Sequence, residues 1–251
     1  MSDPITFVLA HGAWSSAWAW KKMRPLLRAA GHELYAPSYT GLGERAHLAH
    51  RGITLDTHID DVLGTLRFEQ LRDVVLIGHS YGGMVATGVA DRARDRIRLL
   101  VYLDAFVPRS GQCAFDLVAA EFREQAQKAA RDQGDGWQVP PAPLPPDTSP
   151  EDVAWATPLR RPQPIETLRQ PLRFEESGLP PRAYVFCARY APGDVFRPYA
   201  ERARREGWPY AELDASHNPH ITAPEALTSV LIGLADKGGR ESFIEDTRHK
   251  I

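Results

Sequence analysis

Short runs of almost wholly apolar residues alternate along this chain with longer stretches in which apolar positions recur every three or four residues. The runs at residues 5–10, 33–36, 74–77, 97–103, 183–187 and 210–213 are rich in Val, Ile, Leu, Phe and Tyr, and they predict strands. The stretches at 17–30, 55–70, 83–94, 198–206 and 224–235 predict helices. Central strands with no polar face suit a parallel sheet covered by helices on both sides. Strand and helix in regular alternation therefore predict an α/β fold around a mostly parallel sheet.

The alternation fails between about residues 108 and 181. A helical pattern at 114–131 leads to Gly134-Asp135-Gly136 and then to Pro140-Pro141-Ala142-Pro143-Leu144-Pro145-Pro146. Proline has no amide hydrogen to give a helix or a ladder, so this stretch predicts an extended connector. Apolar and aromatic residues resume at Val153, Trp155, Leu159, Leu168 and Phe174. The expected organisation is a core of residues 1–107 and 181–251, interrupted by a mainly helical cap at 108–180. The polar stretch 237–251 is expected to fray.

Composition adds mostly exclusions. A chain of 251 residues accommodates one α/β domain with an insertion. A formal charge of -2 gives no reason to expect nucleic acid or an anionic membrane as partner. Arg92, Arg94, Arg96 and Arg98 read as a solvated helix end. Cys113 and Cys187 have no metal-like spacing, and Cys187 lies inside a strand pattern as a buried thiol. The chain runs from Met1 directly into a core strand without a leader pattern, and no run approaches the length of a membrane span. These features give a cytoplasmic protein as the expectation, acting without metal or organic cofactor, with the oligomeric state open and a homodimer compatible.

The chemistry centres on Gly78-His79-Ser80-Tyr81-Gly82, placed between a predicted strand and a predicted helix. A G-x-S-x-G sequence in that setting is a nucleophile elbow, with the serine hydroxyl at the apex of a sharp turn. A serine needs a base within hydrogen-bond reach and a carboxylate to orient that base, and in this arrangement they follow in the order Ser, acid, His. His217, in the loop after residues 210–213, is the expected base, ahead of His220. For the acid, order alone admits two residues: Asp194, in the loop with Pro192-Gly193, is preferred, and Asp104, at the end of strand 97–103, is the alternative. The backbone N–H groups of Tyr81 and Ala13 are the expected oxyanion donors. His11 reads as a prop for its loop. Candidate pocket residues are Gly12, Trp14, Phe106, Trp137, Trp155 and Phe174.

The chain resembles the α/β-hydrolases, and more narrowly the branch of plant methylesterases, hydroxynitrile lyases and related bacterial esterases. The resemblance is carried by Val8-Leu9-Ala10-His11-Gly12-Ala13-Trp14, Ala17-Trp18-Ala19-Trp20, Gly41-Leu42-Gly43-Glu44-Arg45, the elbow, and Tyr102-Leu103-Asp104-Ala105-Phe106-Val107-Pro108. It covers the core at both ends and little of the cap. It implies a serine esterase with an acyl-enzyme intermediate, and it places the acid at Asp194. The resemblance also implies that a lyase of this branch would carry lysine after the catalytic histidine and threonine after the first-strand histidine. Here those positions are Asn218 and Gly12, which favours an esterase over a carbon–carbon lyase. Ser80 likewise stands where the dehalogenases and epoxide hydrolases of this fold need aspartate. The expected function is hydrolysis of a small hydrophobic or aromatic carboxylic ester. The alternatives are a hydroxynitrile lyase-like activity, a non-catalytic small-molecule receptor, and a cofactor-free oxygenase.

Overall fold

In the computed structural model, which describes residues 3–189 and 194–236, each predicted apolar run forms a strand. Eight strands occur among the described residues: β1 (Thr6–Ala10), β2 (Glu33–Tyr35), β3 (Val74–His79), β4 (Ile97–Leu103), β5 (Gln138–Val139), β6 (Gln163–Pro164), β7 (Arg182–Cys187) and β8 (Tyr210–Leu213). Six of them build one sheet in the order β2-β1-β3-β4-β7-β8, and every pairing in it is parallel. This is the α/β-hydrolase architecture, with helices on both faces.

Successive side chains of a strand point to opposite faces, and the two faces carry separate cores. Val8, Leu76, Leu100, Tyr102 and Tyr184 pack beneath α2 (Leu55–Phe68), α3 (Gly82–Arg92) and α7 (Arg197–Arg205). Phe7, Leu9, Val75, Ile77, Val101 and Val185 pack beneath α1 (Met23–Ala29) and α8 (Pro224–Asp236). Burying each such side chain contributes roughly 1.5–3 kcal/mol, which explains why the strand positions that face these two cores are apolar.

One helix is shorter than its pattern. Residues 17–30 divide into a 3-10 turn, Ala17–Trp20, and α1. Pro25 supplies the reason: it has no N–H to reach the carbonyl of Lys21, so a continuous α-helix cannot pass that point.

The segment between β4 and β7 holds α4 (Ala120–Gln133), α5 (Pro150–Ala156) and α6 (Glu166–Arg169). It also holds a two-stranded antiparallel ribbon of β5 and β6, which was not expected. Two residues per strand are too few to leave a periodicity in sequence. The loop residues 190–193 and the terminal stretch 237–251, both named in the sequence reading, lie outside the described residues.

The registers decide where the site forms. Ala10 pairs with Gly78, His79 with Leu103, Leu103 with Val185, and Cys187 with Leu213. The carboxyl ends of five neighbouring strands thus lie side by side, where open α/β sheets place their ligands.

Candidate active site

β3 ends at His79, and Ser80 follows with φ of 56°. This left-handed conformation costs an L-residue about 1–2 kcal/mol and turns the chain sharply enough to start α3 two residues later. The surroundings hold it there: Ser80 N–H donates to Leu103 O at 3.3 Å, and Phe106 N–H donates to Ser80 O at 3.2 Å. The turn also requires Gly82, because a Cβ there would lie 2.0 Å from Ala10 O.

His217 stands in the loop after β8. Ser80 Oγ–H donates to its Nε2 at 2.9 Å. Its Nδ1–H donates to Asp104 Oδ2 at 2.7 Å. The second oxygen of Asp104 accepts Cys187 N–H at 3.2 Å. Burial pushes the Asp104 carboxyl above its ordinary range, and the His217 hydrogen bond opposes that shift. The ring of Phe196 stacks on His217 at 4.8 Å and 5°. His79 Nε2–H donates to His217 O at 2.8 Å and holds the loop from below.

Asp104, not Asp194, is the carboxylate hydrogen-bonded to His217. Asp104 follows β4 directly, with φ of 40°, and β4 is the immediate neighbour of the strand that carries Ser80. Asp194 Oδ1 instead accepts the N–H groups of Phe196 at 2.9 Å and Arg197 at 3.3 Å, closing the first turn of α7. The signal available in the sequence was an aspartate set directly against the unbroken apolar run 99–103, where burial makes a partner obligatory. His220 is also removed from the chemistry. It is buried, stacks on Trp20 at 4.9 Å, and is held by burial at a pKa of about 3.

The loop after β1 faces the elbow. His11 is committed to that loop: its Nδ1–H donates to Gly12 O at 2.9 Å, and its Nε2 accepts Tyr39 N–H at 3.2 Å. Among the described residues, no acceptor is hydrogen-bonded to the N–H of Ala13 or of Tyr81. Both residues border the cavity that opens above Ser80 and His217.

That cavity, of about 330 Å³, is lined mainly by Trp14, Phe106, Phe115, Phe122, Leu168 and Phe196. Trp14 and Phe106 stand where a pocket was expected, and four of the other candidates do not. Gly12 lies beneath the wall, where a Cβ would come within 3.0 Å of His79 Nδ1 and 3.2 Å of Ser80 Cβ. Trp155 packs edge-on against Trp18 at 5.4 Å. Trp137 belongs to the turn before β5, its carbonyl accepting Ile165 N–H at 2.8 Å. Phe174 runs beside Ser110, whose Oγ accepts its N–H at 3.1 Å. Phe115 and Phe122, in the insertion, and Phe196, at the start of α7, were missed because an aromatic residue carries no local mark of whether it faces a cavity or a core.

Residues 7–230 match the Alpha/beta hydrolase family. The chain is 39% identical over 240 residues to a carbendazim hydrolyzing esterase of Nocardioides sp. (strain SG-4G), covering 91% of this chain and 98% of that one. It is 30% identical over 209 residues to salicylic acid-binding protein 2 of Nicotiana tabacum, covering 74% of this chain and 80% of that one. Among solved structures, an extracellular alpha/beta-hydrolase from a Paenibacillus species superposes with a TM-score of 0.80 at 27% identity, covering 95% of this chain and all of that one. With its parallel sheet, its elbow and these relatives, the chain belongs to the alpha/beta hydrolase family, as a carboxylic ester hydrolase of the methylesterase branch.

Proposed function

We propose that Ser80, His217 and Asp104 act as a catalytic triad that cleaves small, uncharged, aromatic esters through an acyl-enzyme. His217 Nε2 takes the Ser80 proton as Oγ attacks the ester carbonyl. Asp104 holds the imidazole in the tautomer that leaves Nε2 free, and stabilises the imidazolium that forms. The N–H groups of Ala13 and Tyr81 receive the developing oxyanion. His217 then gives its proton to the departing alcohol, and water, activated by the same imidazole, releases the acid.

The observation that carries this reading is the continuous chain Ser80 Oγ to His217 Nε2 to Asp104 Oδ2, at 2.9 and 2.7 Å. The substrate class is supported by the wall of aromatic and aliphatic side chains, which among the described residues brings no carboxylate, ammonium or guanidinium group to the cavity. Desolvating a charged substrate there would go uncompensated. Similarity to a carbendazim hydrolyzing esterase and to methylesterases agrees with cleavage of an ester. Asn218, beside His217, brings no charge for a cyanide leaving group.

The test is a panel of esters varied separately on the acyl and alcohol sides, carbendazim included, run on the wild type and on Ser80→Ala. Turnover of neutral aromatic esters that disappears in Ser80→Ala, with covalent labelling of Ser80 by an organophosphonate, supports the reading. Retained turnover in Ser80→Ala rejects it.

A further inference from the structure

Trp14, next in sequence to Ala13, is held by the insertion on every polar atom it has. Its N–H donates to Gln163 Oε1 at 3.2 Å, and its indole Nε1–H donates to Val139 O at 2.9 Å. Its carbonyl accepts Arg161 N–H at 3.2 Å. Val139 and Gln163 are paired residues of the β5–β6 ribbon. The ribbon therefore grips the loop after β1 at the one residue there that adopts positive φ, 59°.

Gln163 is wholly buried, as is Thr167. The Gln163 carbonyl must face Trp14, because Trp14 N–H can only donate, and its amide group then donates to Thr167 Oγ1 at 2.7 Å. The Thr167 hydroxyl donates to Pro164 O at 2.6 Å. The Tyr81 hydroxyl, for its part, donates to His58 Nδ1 at 3.0 Å. Gln163 and Thr167 thus tie Trp14, the residue after Ala13, to the end of β6 through a buried chain of hydrogen bonds. Neither touches Ser80 or His217, and the acyl-transfer chemistry does not require either.

We propose that Gln163 and Thr167 are positioning residues for the oxyanion hole. They fix the peptide plane between Ala13 and Trp14, and with it the backbone that aims the Ala13 N–H at the point where the Tyr81 N–H also arrives. The inference rests on the reading of Ala13 and Tyr81 as oxyanion donors. Oxyanion stabilisation depends on donors already aimed at the place where charge develops, so a loose peptide plane loses rate without losing substrate affinity.

The test compares an aromatic ester with its thionoester, whose larger sulfur is poorly served by donors set for oxygen. Gln163→Met, close in volume and unable to accept from Trp14 N–H, is expected to lower kcat for the oxygen ester by about tenfold or more. KM should stay within about twofold, and the ester-to-thionoester ratio of kcat/KM should fall by a similar factor to kcat. Thr167→Val, nearly isosteric, should move both quantities the same way by a smaller amount, and it decides the matter alone if Gln163→Met does not fold. Organophosphonate titration of Ser80 normalises each rate to competent enzyme. Unchanged kcat, or equal loss on both substrates, overturns the proposal. A wild type that hydrolyses both substrates equally well would instead sink the oxyanion reading itself, before any Gln163 variant is measured.

Discussion

Asp104 precedes His217 by 113 positions in the chain and lies 2.7 Å from it in the fold. That contact fixes which imidazole nitrogen faces Ser80, since a carboxylate only accepts and so holds the proton on Nδ1. In Asp104→Asn the amide can donate to Nδ1 and turn the proton to Nε2, where it opposes deprotonation of Ser80. The expected loss in kcat/KM is about 10³–10⁴-fold, whereas Asp194→Asn should cost less than about tenfold through its capping of α7. Both variants are to be measured against one neutral aromatic ester with active-site titration. The reverse ranking would restore Asp194 as the acid.

The elbow has a steric prediction independent of any substrate. Gly82→Ala places a Cβ 2.0 Å from Ala10 O and 2.7 Å from His11 O, both backbone atoms that cannot swing away. The start of α3 must shift off β1, at a cost of about 1–3 kcal/mol or more, and Ser80 labelling should slow sharply. Gly64, in the middle of α2, has no atom within 4 Å of its would-be Cβ. Gly64→Ala should therefore stabilise by about 0.5–1 kcal/mol. Urea midpoints of the two variants should lie on opposite sides of the wild type.

The strands were legible because burial on both faces leaves a compositional run, and the elbow because its glycines answer a steric demand visible in five residues. Asp104 and Asp194 could not be ranked that way. Both follow strands and both precede His217, and chain order does not record that β4 neighbours the strand of Ser80 while β7 lies one place further out. The strand neighbours of an aspartate are a property of the sheet. The ribbon of β5 and β6 was hidden for a related reason, since Val139 and Gln163 matter through what they hold, Trp14, more than 120 residues earlier. The pocket aromatics of the insertion were the least legible, because Phe115 facing the cavity and Trp155 packing on Trp18 have the same local sequence character.

The cavity wall predicts a charge preference that one substitution can alter. Phe122 lines the cavity yet is 41% exposed, so a longer polar side chain there keeps its head in water. Phe122→Lys is expected to raise kcat/KM for an ester bearing a distal carboxylate by about tenfold, a gain that should shrink as ionic strength rises. Turnover of the uncharged parent ester should stay within about threefold. If the anionic ester gains nothing at low salt, Phe122 does not border the route that substrate takes.

Buried imidazoles set the acid limit of the fold. His11 is held at a pKa of about 4, His58 and His220 at about 3, and His79 well below its ordinary value, in each case chiefly by burial. All four are neutral in the folded protein at pH 6, whereas in the unfolded chain each titrates near 6.5. The unfolded state therefore binds more protons below that pH. The stabilisation from keeping these rings neutral is complete above about pH 7 and is lost as pH falls from 6.5 toward the folded values. Each histidine contributes a slope of up to about 1.4 kcal/mol per pH unit in that window. Urea midpoints measured from pH 8 to pH 5 should be flat at the alkaline end and fall steeply below 6.5. His58→Gln, whose amide can both accept from Tyr81 and donate to Thr40 O, should reduce the acid slope by about one histidine's share whatever its effect on absolute stability. A midpoint that stays level down to pH 5, or an unchanged slope in His58→Gln, would mean that these rings take up protons without unfolding.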